Sequence, residues 1–178
     1  MEAIGLETLL LLVLIAAVAG MIDSIAGGGG LLALPALLWA GLPPIQALAT
    51  NKLQGTFGTL TASWNFVRRG EIDLARLKVP ILLTFIGSAA GTQAVRHLGS
   101  ERLEDIVPLL LIGFALYFLF SPRIGDEDAR HRIGHGMFGL LIGFTIGFYD
   151  GFFGPGTGTF FAAAFVVLLG YNLRRATA

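Results

Sequence analysis

The sequence predicts an all-α, polytopic transmembrane bundle made of two inverted repeats, each opened by a glycine-broken helical hairpin. Composition is the first reason. Of the 178 residues 54% are hydrophobic and only 13% charged, with a mean hydropathy of +0.76, and a soluble fold this apolar could not cover its own surface. Charge distribution is the second, because long neutral stretches alternate with short clusters of Arg, Lys, Asp and Glu, as in a chain that crosses a bilayer repeatedly. The third is an internal repeat. The run Ala19-Gly20-Met21-Ile22-Asp23 into Gly27-Gly28-Gly29-Gly30 is matched 127 residues later by Ile146-Gly147-Phe148-Tyr149-Asp150 into Gly154-Pro155-Gly156-Thr157, and Ala49-Thr50 by Ala176-Thr177. Paired broken helices at corresponding places in two halves are the sequence pointer to a transporter's binding site.

The elements follow in order. Leu9 to Ala26 is apolar but for Asp23 and Ser24, and Glu2 and Glu7 stand where a signal peptide would carry basic residues, so it reads as a retained membrane helix. Gly27–Gly30 stop it, since consecutive glycines carry a large backbone-entropy cost in a helix. Leu31 to Leu42 is apolar but short, and Pro43-Pro44 end it, so residues 9–42 form a hairpin whose tip lies inside the protein. Spans are expected over 45–67, 81–95 and 106–120, separated by a charged loop at 68–78 and a mixed-charge loop at 96–105. The middle span carries Gly87-Ser88-Ala89-Ala90-Gly91, a surface on which two membrane helices can approach closely. The most polar segment is 121–136, and a second hairpin covers 137–170.

Residues 1–135 therefore form the first repeat and 136–178 an incomplete second one, ending before any counterpart of Asn51 to Gln54. Lys and Arg concentrate in 68–78, 121–136 and 174–175, which places those segments in the cytoplasm and the N-terminus outside. Three spans, an odd number, lie between the hairpins, and that inverts the second relative to the first.

Several residues are candidates for function. Asp23 and Asp150 end apolar helices, where a carboxylate costs about 2.5–3.5 kcal/mol at the bilayer centre and so has a function or a partner. Both are candidates for proton coupling, for shaping a cavity wall, or for capping the glycine turns as acceptors. Gly27, Gly28, Gly29 and Gly30, with Gly154, Gly156 and Thr157, open helices whose free N–H groups and positive dipole end suit an anion; tight helix packing through glycine is the plainer alternative. Asn51, Lys52 and Gln54 cluster at the start of an otherwise apolar helix. Asn51 and Gln54 share a face, while Lys52 can neutralise an anion, pair with Asp23 or snorkel to the interface.

Other chemistries find little support. Formal net charge is zero and no basic aromatic surface suggests nucleic acid. With no cysteine there is no disulfide, thiol catalysis or iron–sulfur ligation. His131 and His135 have the spacing of a helical metal pair but no third ligand, Ser24 has no base to activate it, and no cofactor is expected. An enzyme is accordingly not expected.

The block Asp23-Ser24-Ile25-Ala26-Gly27-Gly28-Gly29-Gly30-Leu31-Leu32, then Pro35 and Ala47-Leu48-Ala49-Thr50-Asn51-Lys52-Leu53-Gln54, resembles the TauE/SafE family of sulfite exporters, also called the toluenesulfonate uptake permease family. Gly147-Phe148-Tyr149-Asp150-Gly151-Phe152-Phe153-Gly154-Pro155-Gly156 is similar to that family's second signature, and the match lies nearest its YfcA-type bacterial branch. The resemblance implies a multi-pass carrier of sulfite, sulfonates or related organic anions in the bacterial inner membrane, working by alternating access. Its partners would be the small anion, the lipid bilayer and a proton or other coupling ion. The alternatives are an anion channel or a non-transporting membrane scaffold.

Overall fold

Every regular element is helical in the computed structural model, which describes residues 5–71, 74–120, 134–171 and 176. Helix α1 (Leu6–Ala26) has 21 residues, about 32 Å at the α-helical rise, and is the one described helix both long and apolar enough to cross a membrane. It ends because Gly27 turns left-handed (φ 67°), its N–H donating back to the Asp23 carbonyl at 3.2 Å. Helix α2 (Gly30–Trp39) is only 10 residues long, about 15 Å, and returns beside α1 as the second arm of the hairpin. Helix α3 (Pro44–Arg68) starts with proline in its first turn, where a missing N–H costs nothing.

Helix α4 (Leu74–Phe120) departs from expectation. In place of a loop over 96–105, the chain stays helical on both sides of a single break at Gly99 (φ 74°, ψ 163°), a conformation that only glycine adopts readily. The charged residues Arg96, Glu101, Arg102, Glu104 and Asp105 therefore decorate the ends of two helical limbs, and the middle span starts earlier than the apolar run suggests. In the second hairpin, α5 (His135–Phe138) passes through a π-helical turn (Gly139–Gly143) into α6 (Phe144–Phe152). After a four-residue break α7 (Thr157–Leu169) follows, closed by left-handed Gly170. A glycine-containing break thus joins α6 to α7, as another joins α1 to α2. Most of segment 121–136, including His131, lies outside the described residues, and Asp73 does too.

The tightest packing is α4 against α6, and glycine makes it so. A Cβ on Gly87 or Gly91 would lie 2.3 or 2.1 Å from the carbonyl oxygens of Phe144 and Phe148. Reciprocally, a Cβ on Gly147 or Gly151 would lie 2.4 or 1.9 Å from those of Thr84 and Ser88. Two backbones are in direct contact over two turns, and the Thr92 hydroxyl adds a hydrogen bond to the Gly151 carbonyl at 3.3 Å. The small-residue run 87–91 is therefore the docking surface for the second hairpin. Around it a core of Leu34, Ala47, Leu48, Val95, Leu103, Val107 and Phe153 joins α2, α3, both limbs of α4 and the second hairpin's tip. Phe114 stacks on Phe153 at 5.8 Å and packs on Tyr149 at 5.0 Å. Leu10, Val13 and Leu14 of α1, with Leu109, Ile112 and Leu119 of α4, present an exposed apolar exterior.

This crossing gives a sharp stability prediction. Gly151→Ala forces backbone apart and should cost about 1–3 kcal/mol or more, read as a lower Tm and less monodisperse protein in detergent. Gly113→Ala, where a Cβ would meet nothing within 4 Å, should be neutral or stabilising by about 0.5–1 kcal/mol. Equal effects at both positions would show that the crossing does not hold the fold.

Candidate functional site

The two glycine tips meet. A Cβ on Gly27 would lie 2.5 Å from the Gly158 Cα, and one on Gly30 would lie 3.2 Å from the Pro155 Cα and 3.0 Å from the Asn51 amide nitrogen. Segments more than a hundred residues apart in sequence are thus in backbone contact, which only residues lacking a Cβ permit. The turns differ in build. In the first, the Gly29 N–H donates to the Asp23 carboxylate (Oδ1) at 2.7 Å, so Asp23 caps the start of α2. In the second, Gly154 (φ 97°) and Gly156 (φ 82°) are left-handed, the Thr157 hydroxyl donates to the Gly154 carbonyl at 2.5 Å, and the Tyr149 hydroxyl donates to the Pro155 carbonyl.

Asp150, the counterpart of Asp23, does not repeat that cap. Lys52 Nζ lies 3.1 Å from Asp150 Oδ2, tying α3 of the first copy to the second hairpin, and both side chains keep about a third of their surface exposed. Lys52 therefore pairs with the other copy's carboxylate and not with Asp23. Its ammonium also overlies Gly154, where a Cβ would come within 2.8 Å of Nζ. The Ser88 hydroxyl reaches the same carboxylate oxygen at 3.5 Å, so α4, α3 and α6 converge on Asp150. Ser88 is visible in the sequence only as part of a small-residue run, and nothing in its spacing singles it out.

Asn51 and Gln54 part company with Lys52. Asn51 is 6% exposed, and both line a cavity of about 40 Å³ between α1, α2 and α3. Gln54 Nε2 donates to the Ala16 carbonyl at 3.1 Å, which clamps α3 to α1 beside Gly20. The Asn51 Oδ1 and Gln54 Oε1 atoms are buried with no hydrogen-bond donor. Such a space is large enough for one water, the occupant that buried acceptors ordinarily recruit. So the three polar residues face two places, Lys52 toward the second hairpin and the two amides toward the first. Among the described residues no three metal-ligating side chains come together.

This arrangement of broken hairpins accompanies a match to the family model described as sulfite exporter TauE/SafE over residues 12–178. The chain belongs to the TauE/SafE family. It is 46% identical over 98% of its length to a probable membrane transporter protein of Haemophilus influenzae, of which it covers 69%. It is 49% identical over 92% of its length to the Escherichia coli probable membrane transporter protein YfcA, covering 61% of that protein. A probable membrane transporter protein from a Sinorhizobium species is 44% identical over the whole chain, which covers 68% of it. The chain thus spans about two thirds of the length of these relatives. No solved structure matches it. Family membership makes it a membrane protein and accounts for its exposed apolar exterior.

The Lys52–Asp150 pair predicts a coupling. Lys52→Ala leaves a partly buried carboxylate without its cation and should lower thermal stability, whereas the double variant Lys52→Ala/Asp150→Asn should recover about 1 kcal/mol of the loss. A cycle of detergent melting temperatures over wild type, both single variants and the double measures it, and strictly additive effects would mean the two groups do not interact.

Proposed function

We propose that this chain supplies the substrate-handling part of a secondary transporter of small sulfur-containing or organic anions, such as sulfite or sulfonates, in the bacterial inner membrane. The observation that carries the reading is the asymmetry between the two tips. The start of α2 already holds an anion, the Asp23 carboxylate on the Gly29 amide. Asp150, the matching carboxylate at the second tip, is instead turned to Lys52. At the second tip, the Gly156 and Gly158 amides begin a helix whose dipole favours negative charge, with the Thr157 N–H already given to the Gly154 carbonyl and the Lys52 ammonium beside Gly154. A tetrahedral or pyramidal oxyanion matches that donor set, with N–H groups on one side and an ammonium on the other.

In this reading Lys52 exchanges partners. Without substrate it is neutralised by Asp150; an arriving anion competes for the ammonium, and Asp150 then takes a proton or yields to the substrate. Asp23 and Asp150 are the candidate coupling groups. The Gly27–Gly158 and Gly30–Pro155 contacts act as a septum, because nothing passes between backbones in van der Waals contact. Alternating access would move one hairpin against the other, the two being inverted repeats with the N-terminus outside the cytoplasm. The names of the relatives, all probable membrane transporters, support the transport class.

Full-length protein in proteoliposomes should take up or release radiolabelled sulfite or an alkyl sulfonate with saturation and counterflow. Lys52→Ala should reduce flux about 10–100-fold, the worth of a hydrogen bond to a charged group, and Lys52→Arg should restore it only in part, since a planar fork does not replace a compact ammonium. Flux without saturation would favour a channel. No flux for any anion under any gradient would defeat the proposal.

A further inference from the structure

We infer that the groove between α1 and α3 is a hydrated path by which the anion reaches the hairpin tips, with Arg69 at its mouth selecting for negative charge. This rests on the transport reading above but concerns a different part of the molecule. The groove is open along one side, holds about 690 Å³, and carries a stripe of small and polar side chains, Gly20 and Ser24 from α1 with Gly58, Thr61, Asn65 and Arg69 from α3, between apolar walls that include Phe57 and Phe66. On α3 these continue from Gln54 at intervals of three and four, so they fall on one helical face over 15 residues, about 22 Å. Leu53 and Leu60, on another face of the same helix, are 64% and 63% exposed and apolar.

A polar stripe of that length on a helix in a bilayer needs water or protein against it, because polar groups facing hydrocarbon cost several kcal/mol each. The hydrogen bonds show what the stripe presents to the groove. Ser24 Oγ donates to the Met21 carbonyl at 2.7 Å, Thr61 Oγ1 to Phe57 at 2.7 Å, and Asn65 Nδ2 to Thr61 at 3.0 Å. With the hydroxyl protons directed into their own helices, Ser24 and Thr61 offer the groove acceptor oxygens, and Asn65 keeps its oxygen and one N–H. Acceptors hydrate well and bind anions poorly, so the surface fits a wet passage and not a second binding site. The inner end abuts the site already described: Gly20 packs on the Gln54 amide, and Gly58 lies against Asp23. At the outer end Arg69 closes α3 as its C-cap residue. A fixed positive charge at a low-dielectric mouth raises the local concentration of anions and excludes cations.

The 178 residues contain no cysteine, and with any cysteine elsewhere in the full-length protein replaced by serine, single introduced cysteines can be read on a clean background. Thr61→Cys, Asn65→Cys and the control Leu60→Cys in full-length protein in membranes would be treated with the anionic sulfonatoethyl and the cationic trimethylammonium-ethyl methanethiosulfonates. Modification would be counted by the loss of later alkylation after denaturation. Because only a hydrated thiol ionises to the reactive thiolate, cysteines at 61 and 65 should react about tenfold or more faster than the one at 60. In the Thr61→Cys protein at low salt, Arg69→Gln should cut the ratio of anionic to cationic rates about threefold or more, and Arg69→Lys should preserve it. Rates at 61 and 65 no faster than at 60 would mean protein or lipid fills the groove and would overturn the path. An unchanged ratio in Arg69→Gln would remove the selecting role of the arginine. Labelling does not depend on flux, so accessible cysteines in a protein that moves no anion would defeat the transport reading and leave the hydrated groove standing.

Discussion

Backbone-to-backbone contact between α4 and α6 is the constraint on which the remaining geometry hangs. Gly87 and Gly91 seat against the carbonyls of Phe144 and Phe148 while Gly147 and Gly151 seat against those of Thr84 and Ser88, so the crossing has one register and almost no tolerance. Because Asp150 stands one residue before Gly151, that register delivers its carboxylate to Ser88 and within reach of Lys52. Shift the crossing by one turn and the second tip would meet neither Gly27 nor Gly30. In a membrane there is little hydrophobic gain from pairing two apolar helices, so dispersion at this distance is a main force that can hold them.

Two turns that share an aspartate and two glycines at matching positions settle into different electrostatic states, and the cause is the company each keeps. Asp23 has a backbone amide in reach and takes it. Asp150 has an ammonium in reach and takes that instead, and Pro155, which stands where the first copy has Gly28, brings no N–H to its turn. The repeat in sequence is therefore not a repeat in charge distribution. An ion pair linking α3 to α6 also joins the two copies beside the packing of their tips.

Much of this was legible beforehand. The glycine runs and the proline pair mark both hairpins because each is a backbone property that side-chain context does not override, and Gly87-Ser88-Ala89-Ala90-Gly91 advertises close approach for the same reason. The 96–105 segment misleads because charge density suggests a loop, whereas Gly99 alone turns the chain and the charged residues simply solvate helix ends. Lys52 could be seen to need a partner, but which one depends on how α3 meets the second hairpin, a tertiary fact with no local signal. The separation of Asn51 and Gln54 from Lys52 was implicit in the 100° step between neighbouring helical residues; that the amides would be buried without donors was not.

The meeting of Gly27 with Gly158 also says something about tuning. A contact between two surfaces that lack side chains has no rotamers to rearrange, so its geometry is set by backbone alone. Such a surface cannot be adjusted by substitution, since any replacement at Gly27 adds a Cβ where a backbone atom already sits. Any adjustment at this junction must then come from the residues around it, such as Lys52, Pro155 and Thr157.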